Sequence, residues 1–128
     1  MANCPCGTKK AYAKCCKPYL LGQRRPVTPV ALMRSRYTAY TLANITYIKK
    51  TMRGKALEGF QAADAQDWAK RVTWMGLTVF KTHLVSPHQG YVEFKAEFEE
   101  AGHLQSIHET SEFIQEIGVW YYVDGIQS

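Results

Sequence analysis

The sequence predicts an α+β protein in which a short zinc knuckle precedes helices packed on one face of a curved four-stranded antiparallel sheet. Three observations predict this arrangement. All four cysteines lie within residues 4–16, helical patterns occupy about residues 29–71, and four strand-like segments follow from residue 73. Strands joined by short turns pair antiparallel, and helices that precede such a sheet pack on one face of it.

The cysteines follow the pattern Cys4-x-Cys6, eight further residues, and Cys15-Cys16, and no cysteine occurs after them. Tetrahedral thiolate ligation of one Zn²⁺ is the simplest chemistry for such a cluster. All four positions are protein ligands and leave no open site for water, so we predict a structural zinc ion. Disulfides and a redox-active dithiol are the alternatives, although the segment lacks secretory features and the Cys-x-x-Cys spacing.

The residues between the cysteines suit a metal knuckle. Pro5 fixes the backbone angle φ, and Gly7 lets the chain turn back so that amide N–H groups can point at the sulfurs. Four thiolates and one divalent ion leave a charge of about −2. Nearby lysines would compensate this charge, namely Lys9, Lys10, Lys14 and Lys17.

This pattern resembles the SEC-C motif, the small zinc-binding element named after the C-terminus of the SecA preprotein translocase. Cys16 stands where SecA-type versions carry His and other members carry Cys. Thr8 replaces the usual Ser, and Lys9 stands where a Gly is usual, so the loop is expected to differ slightly. The resemblance implies that the zinc ligands are Cys4, Cys6, Cys15 and Cys16.

Length and composition indicate a globular protein. A chain of 128 residues with 46% hydrophobic residues can bury a core. We expect a knuckle over residues 1–22 and an α+β domain over residues 23–128. No run approaches the roughly 20 apolar residues that span a bilayer, and no signal peptide is visible, so we expect cytoplasmic residence without membrane insertion.

The charges are divided unevenly along the chain. Residues 1–55 hold twelve Lys or Arg and no acidic residue, whereas residues 56–128 hold four basic and eleven acidic residues. A one-signed half attracts anionic surfaces, so we predict a protein or ribosome partner, with nucleic acid as a further candidate. The alternative is internal neutralisation by the zinc-thiolate cluster and the acidic half.

Three helices are predicted. A linker, Lys17–Val27, leads to Thr28 and Pro29, which are a typical N-cap and a typical first residue for a helix that runs to about residue 42. Asn44 is expected to cap a short second helix that ends near residues 52–54. After a predicted loop at 54–63, a third helix over residues 64–71 carries acids first and bases last, which complements the helix dipole.

Four strands are predicted from Thr73 onwards. Each segment is rich in β-branched and aromatic residues, and residues 91–98 alternate cleanly between two faces. The segments are residues 73–85, 91–98, 104–115 and 119–123. The turns between them are short, which indicates an antiparallel meander.

Several segments in order resemble the YchJ-type family of bacterial proteins, which carry an N-terminal SEC-C motif. The matching segments are Pro29–Tyr40, Trp74–Leu77, His108–Phe113 and Trp120–Gly125. The resemblance implies a cone-shaped domain similar to nuclear transport factor two. It implies no settled activity.

The phase of the third strand suggests a pocket. If Ile107 and Phe113 face inward, Glu109 and Ser111 face inward too. A buried carboxylate needs a partner, which Arg34 or Arg36 on the first helix could supply. We therefore define a candidate pocket for a small anionic or polar ligand, lined by Arg34, Arg36, Tyr37, His108 and Glu109. The alternative, which we favour, is a structural ion pair that fixes the helix on the sheet.

Two functions are consistent with these features. The first is a zinc-binding interaction protein whose knuckle docks it on a protein or ribosomal partner; in SecA the similar element contacts the SecB chaperone and the ribosome. The alternative is a small-molecule-binding protein or enzyme that uses the cone pocket. No Ser-His-Asp set, phosphate loop or dinucleotide fingerprint is present, so we favour a non-enzymatic protein and leave the enzyme open.

Overall fold

The computed structural model describes residues 3–127 of the chain. A 3₁₀ turn at Tyr12–Lys14 precedes the helices α1 Lys17–Leu20, α2 Pro29–Thr41, α3 Ile45–Lys50, α4 Gly54–Glu58 and α5 Ala62–Arg71. The strands are β1 Thr73–Ser86, β2 Gln89–Glu100, β3 His103–Glu116 and β4 Val119–Gln127. In this part of the chain, no helix combines the length and the apolar character that crossing a bilayer requires.

The four strands form one sheet in the order β1-β2-β3-β4, with every neighbouring pair antiparallel. The predicted meander is therefore confirmed. The pairing of β1 with β2 shifts register at three places, and that of β3 with β4 shifts between Glu112 and Phe113. Such irregularities bend a strand and increase its twist, which curves the sheet around the helices.

Helix α2 packs on the concave face of the sheet. The Thr28 hydroxyl accepts a hydrogen bond from the Ala31 amide at 3.1 Å, and Pro29 occupies the first turn, as predicted for this helix start. The side chains of α2 and the sheet form the main hydrophobic core, whose buried members are Leu32, Met33, Tyr37, Val92, Ala96, Phe113 and Trp120.

A second cluster joins the helices to one another and to β4. Its buried members come from α2, α3 and α5 and from the segment after α3: Ala39, Ile45, Tyr47, Ile48, Met52 and Ala69. The segment after α3 also pairs with β4, because the Tyr122 amide donates to the Thr51 carbonyl and the Arg53 amide donates to the Tyr122 carbonyl. This segment covers part of what would otherwise be an open edge of the sheet.

Two helices lie in regions that were predicted to have no helix. Helix α1 interrupts the predicted linker, and α4 occupies the first half of the predicted loop at 54–63. Both helices are five residues or fewer, so sequence periodicity does not reveal them. Packing supports them, because Leu20, Ala56 and Leu57 contact the second cluster.

Gly90 tests the close packing of α2 on the sheet. A Cβ atom at this buried position would lie 2.9 Å from both Leu84 Cδ2 and Pro29 Cγ. We expect Gly90→Ala to lower the free energy of unfolding by about 1–3 kcal/mol, measured by urea denaturation, because the added methyl overpacks this contact.

The matched control is Gly76→Ala in β1, where an added Cβ would meet no atom within 4 Å. An alanine there is expected to be neutral or stabilising by about 0.5 kcal/mol, because glycine loses more entropy in a strand. Equal destabilisation by both substitutions would contradict the steric account.

Candidate functional site

The four cysteine sulfurs meet in one cluster. All four Sγ atoms lie within 4.8 Å of one another, and all four residues are free thiols. The Cys6 and Cys15 sulfurs are 3.6 Å apart, and those of Cys15 and Cys16 are 4.0 Å apart. A tetrahedron with metal–sulfur bonds of about 2.3 Å has sulfur–sulfur edges of about 3.8 Å. The donor set and its spacing therefore fit a metal ion held by four thiolates.

A tight backbone loop brings the two cysteine pairs together. The Cys4 amide donates to the Lys10 carbonyl at 2.7 Å, and the Gly7 amide donates to the Cys4 carbonyl at 3.3 Å. Gly7 has a φ of 87°, which favours glycine. It also lies against β1, because an added Cβ would be 3.2 Å from the Leu77 carbonyl oxygen. The knuckle thus rests on the sheet.

Two threonine hydroxyls lie beside the sulfurs. Thr8 Oγ1 is 3.2 Å from Cys15 Sγ and 3.6 Å from Cys6 Sγ. Thr38 Oγ1, fully buried on α2, is 3.6 Å from Cys4 Sγ. Hydroxyls at these positions can donate to thiolates and orient them. Sequence reasoning noted Thr8 only as a replacement for Ser, and nothing in the sequence pointed to Thr38.

The pKa values of three of the thiols shift in different directions. A hydrogen bond from the Cys16 thiol is the main reason that the pKa of Cys6 is lowered to about 4, and the same bond followed by burial raises the pKa of Cys16. Burial also raises the pKa of Cys15. Thiols ionise outright when they coordinate a cation. Of Cys6, Cys15 and Cys16, Cys6 is therefore the thiol that ionises most readily without a metal, and a bound cation would ionise the others as well.

Arg34 supports the knuckle instead of the cavity. Its Nη1 donates to the Cys6 carbonyl oxygen. Arg34 and Arg36 are two positions apart on α2, and residues at that spacing do not share a helix face. The prediction that Arg34 lines the pocket is wrong, because its described contact attaches α2 to the loop that carries the cysteines.

A cavity of about 160 Å³ lies between α2, α5 and the sheet. Three of the five predicted pocket residues line it, namely Arg36, Tyr37 and Glu109. His108 does not, because successive strand residues point to opposite faces. Its Nε2 is 2.7 Å from Glu93 Oε2, and its ring centroid is 5.2 Å from that of Phe80. The prediction that His108 lines the pocket is therefore wrong.

One end of the cavity is polar. Glu109 Oε2 accepts hydrogen bonds from the Ser111 hydroxyl and from the Tyr122 hydroxyl, the second at 3.2 Å. Gly125 makes room for this group, since a Cβ there would collide with the Glu109 carboxyl and the Tyr122 hydroxyl. Burial, followed by the charge of Glu109, raises the pKa of Tyr122.

Arg36 is buried at the same end. Its Nη1 donates to the Ile48 carbonyl at 2.8 Å and to Thr51 Oγ1 at 2.6 Å, and its guanidinium carbon lies 4.6 Å from the Tyr122 ring centroid. Burial lowers the pKa of Arg36, and the charge of Glu109 acts in the opposite direction. Glu109 faces inward as expected, and its direct pairing with Arg36 stays a prediction.

Aromatic rings form the rest of the cavity wall. The centroid of Trp74 lies 5.0 Å from that of Trp68 and 5.6 Å from that of Tyr37, with both pairs edge to face. In the described part of the chain, the buried Nε1–H of Trp74 has no hydrogen-bond partner. Sequence reasoning placed Tyr37 in the pocket and gave no signal for the Trp74 donor.

Substitution of Lys9 tests the geometry of the loop that carries the cysteines. Its φ is 68°, in the left-handed region, at the position where SEC-C sequences usually carry Gly. We expect Lys9→Gly to raise the free energy of unfolding by about 0.5–1 kcal/mol in urea denaturation, because relief of strain exceeds the added chain entropy. Lys10→Gly, which removes the same charge outside that region, is expected to destabilise. Similar losses from both variants would overturn the strain assignment.

The knuckle and the cavity domain also occur together in known proteins. The protein-family model of the YchJ middle NTF2-like domain matches residues 28–125 of the chain. The chain is 40% identical to a UPF0225 protein of Geobacter sulfurreducens, over 95% of this chain and 77% of that one. It is 41% identical to a UPF0225 protein of Haemophilus influenzae strain Rd, over 97% of this chain and 77% of that one.

Solved structures share the fold. A SEC-C motif containing protein from Rhodopseudomonas palustris has a TM-score of 0.91 at 36% identity, covering 99% of both chains. Another, from Psychrobacter arcticus, has a TM-score of 0.86 at 32% identity, covering 100% of this chain and 84% of that one. The intermembrane space region of the chloroplast protein ARC6 shares the fold alone. Its TM-score is 0.56 at 14% identity, covering 75% of this chain and 90% of that one. The chain therefore belongs to the UPF0225 family of bacterial proteins, with a YchJ-type middle domain of the NTF2-like fold.

Proposed function

We propose that this protein binds one structural Zn²⁺ through its four cysteines and that the zinc knuckle, with an adjoining basic groove, docks it on the ribosome. The observation that carries the proposal is the short stretch of chain, helix α1 and the turn after it, that joins Cys16 to a groove lined by Arg24, Arg25 and Lys50. Exposed ribosomal RNA presents phosphate groups, which such side chains bind.

The donor set supports zinc as the ion. Four thiolate donors at tetrahedral spacing suit Zn²⁺ or an iron–sulfur centre, whereas hard cations such as Mg²⁺ prefer oxygen. Two relatives of known structure are named as SEC-C motif containing proteins. With every ligand supplied by the protein, zinc would hold the loop together and supply no open coordination site for a reaction.

The surface around the knuckle is basic. The lysines of the metal-binding segment are exposed and can offset the charge of a zinc-thiolate centre, namely Lys9, Lys10, Lys14 and Lys17. The groove adds Arg24, Arg25 and Lys50, and none of its lining residues among those described is acidic. Tyr19 and Tyr121 also line it, and rings beside cations can stack on unpaired bases.

Backbone hydrogen bonds connect the groove to the cysteines that we propose as zinc ligands. Helix α1 follows directly after Cys16, whose carbonyl accepts a hydrogen bond from the Leu20 amide at 3.1 Å. The Pro18 carbonyl then accepts from the Gln23 amide at 2.9 Å, which positions the two following arginines. Loss of the metal is therefore expected to release both α1 and the arginine-bearing segment, so binding should require zinc.

Binding of a small molecule is a second candidate function, favoured by the cavity between α2 and the sheet. Its volume of about 160 Å³ is below the roughly 300–1,000 Å³ of ordinary ligand pockets, so we place docking first. Among the residues that line it there is no histidine, cysteine or lysine, which leaves Glu109 and three tyrosines, Tyr37, Tyr40 and Tyr122, as its groups for acid–base chemistry.

Thr38 tests the metal centre. We expect the near-isosteric Thr38→Val to lower zinc affinity by about 10–100-fold, because Cys4 loses a hydroxyl that orients its sulfur. Competition with a chromophoric chelator would measure it. Thr38→Ser keeps the hydroxyl and is expected to stay within a few-fold of the parent. The assignment fails if valine binds zinc like threonine or if serine loses as much as valine.

Co-sedimentation with purified ribosomes tests docking. We expect the zinc-loaded chain to sediment at low salt, to bind less as salt rises, and to be released by a chelator, because phosphate contacts are screened and the groove depends on the knuckle. Arg24→Glu with Arg25→Glu should weaken binding at least tenfold.

The charge-matched control reverses two exposed lysines elsewhere, Lys70→Glu with Lys81→Glu. This pair changes the net charge equally and should retain most of the binding. Equal loss in both double variants would reduce the interaction to net charge and contradict a specific groove. Absence of binding by the zinc-loaded parent at low salt would remove the ribosome as partner.

A further inference from the structure

We propose that the cavity between α2 and the sheet is a binding site for a neutral single-ring aromatic molecule that carries a hydroxyl group, that is, a phenol. This inference does not depend on zinc or on docking. It follows from the size of the cavity, the rings that line it and the polar groups at its surface.

The size of the cavity limits the ligand to about one ring. Its volume is about 160 Å³. A protein cavity of about 150 Å³ lined by apolar side chains accommodates benzene. A bicyclic cofactor or nucleotide would not fit without rearrangement of the wall, so the occupant is a molecule of seven to nine heavy atoms by this order-of-magnitude comparison.

The wall favours a flat apolar body. Tyr37, Tyr40, Trp68, Trp74, Phe94 and Phe113 all line the cavity. Trp68 and Trp74 meet edge to face, so the wall already has the geometry in which aromatic rings attract one another. Trp68, Trp74 and Phe94 are only partly buried, which gives a ligand access from solvent.

The charges of the cavity favour a neutral ligand. Arg36 and Glu109 are opposite charges at the same end of the cavity. A carboxylate ligand would be attracted by Arg36 but repelled by Glu109, and an ammonium ligand would be attracted by Glu109 but repelled by Arg36. For either ligand, repulsion and desolvation offset the attraction. A neutral hydroxyl avoids both penalties.

The hydrogen-bonding groups favour a hydroxyl. At the polar end of the cavity, the Ser111 and Tyr122 hydroxyls donate to the Glu109 carboxyl group. A phenol can donate its proton to the same carboxyl group, since a carboxylate has about four acceptor positions. A plain hydrocarbon ring cannot.

Titration with phenol followed by two-dimensional ¹H–¹⁵N NMR tests the site. The chain has three tryptophans, so three indole N–H signals report separately. We expect phenol to shift the Trp74 signal saturably and the Trp120 signal little, because Trp120 lies outside the cavity. Benzoate and benzylammonium should bind at least tenfold more weakly than phenol.

Two kinds of variant separate binding from folding. Ala96→Leu and Ile107→Phe each add volume to the cavity wall and should weaken phenol binding at least tenfold, and either one that keeps a native NMR spectrum suffices. Glu109→Leu should abolish the preference for phenol over toluene while both still bind, a change that a merely structural carboxylate would not produce.

Three results would overturn the proposal. The first is no saturable shift of the Trp74 signal with millimolar phenol. The second is binding of benzoate or benzylammonium as tight as that of phenol. The third is undiminished phenol binding in a folded variant whose cavity has been filled.

Discussion

Burial of helix α2 on opposite sides is the constraint on which both candidate sites depend. Residues four positions apart share a helix face. Arg34 and Thr38 face the cysteine cluster, and Arg36 and Tyr40 face the cavity. The helix therefore cannot shift to suit one site without disturbing the other, and the knuckle is part of the packing of the domain.

Burial on several sides requires α2 to satisfy its own polar groups. Ser35 is fully buried and shares hydrogen bonds with the Leu32 carbonyl at 2.8 Å and the Tyr47 hydroxyl at 2.6 Å. Arg36 bonds to α3 and the residue after it, and stacks on β4. Unpaired, these groups would each cost several kcal/mol. Their partners make the orientation of α2 specific as well as stable.

Local chemistry made some features predictable. Cysteine spacing, the Thr28 cap and the alternation of Val92, Phe94 and Ala96 depend on nearby residues, so the knuckle, the start of α2 and the sheet followed from sequence. Arg34 and Thr38 did not. Their partners lie 28 and 34 positions away, and no local pattern encodes such contacts. The same holds for α1 and α4, which tertiary packing stabilises.

The phase of β3 shows how far such a prediction extends. Alternation placed Glu109 inward and also decides that its neighbour His108 lies on the outer face, where it meets Glu93. What alternation could not supply was the identity of the groups across the cavity. Ser111 follows from the same strand, but Tyr122 comes from β4, and its register with Phe113 passes through a bulge that the sequence does not reveal.

The short span of the four cysteines, the candidate metal ligands, has a consequence for biosynthesis. The four cysteines occupy thirteen residues at the start of the chain, so closing this loop costs little entropy, and it can begin before α2 has been translated. Arg34, Thr38 and the Leu77 carbonyl reach the loop only when later segments have folded. At the proposed zinc site, the cysteines could therefore capture the ion before these later contacts form. The ion would exchange readily until β1 has been completed on the ribosome and would be held tightly afterwards.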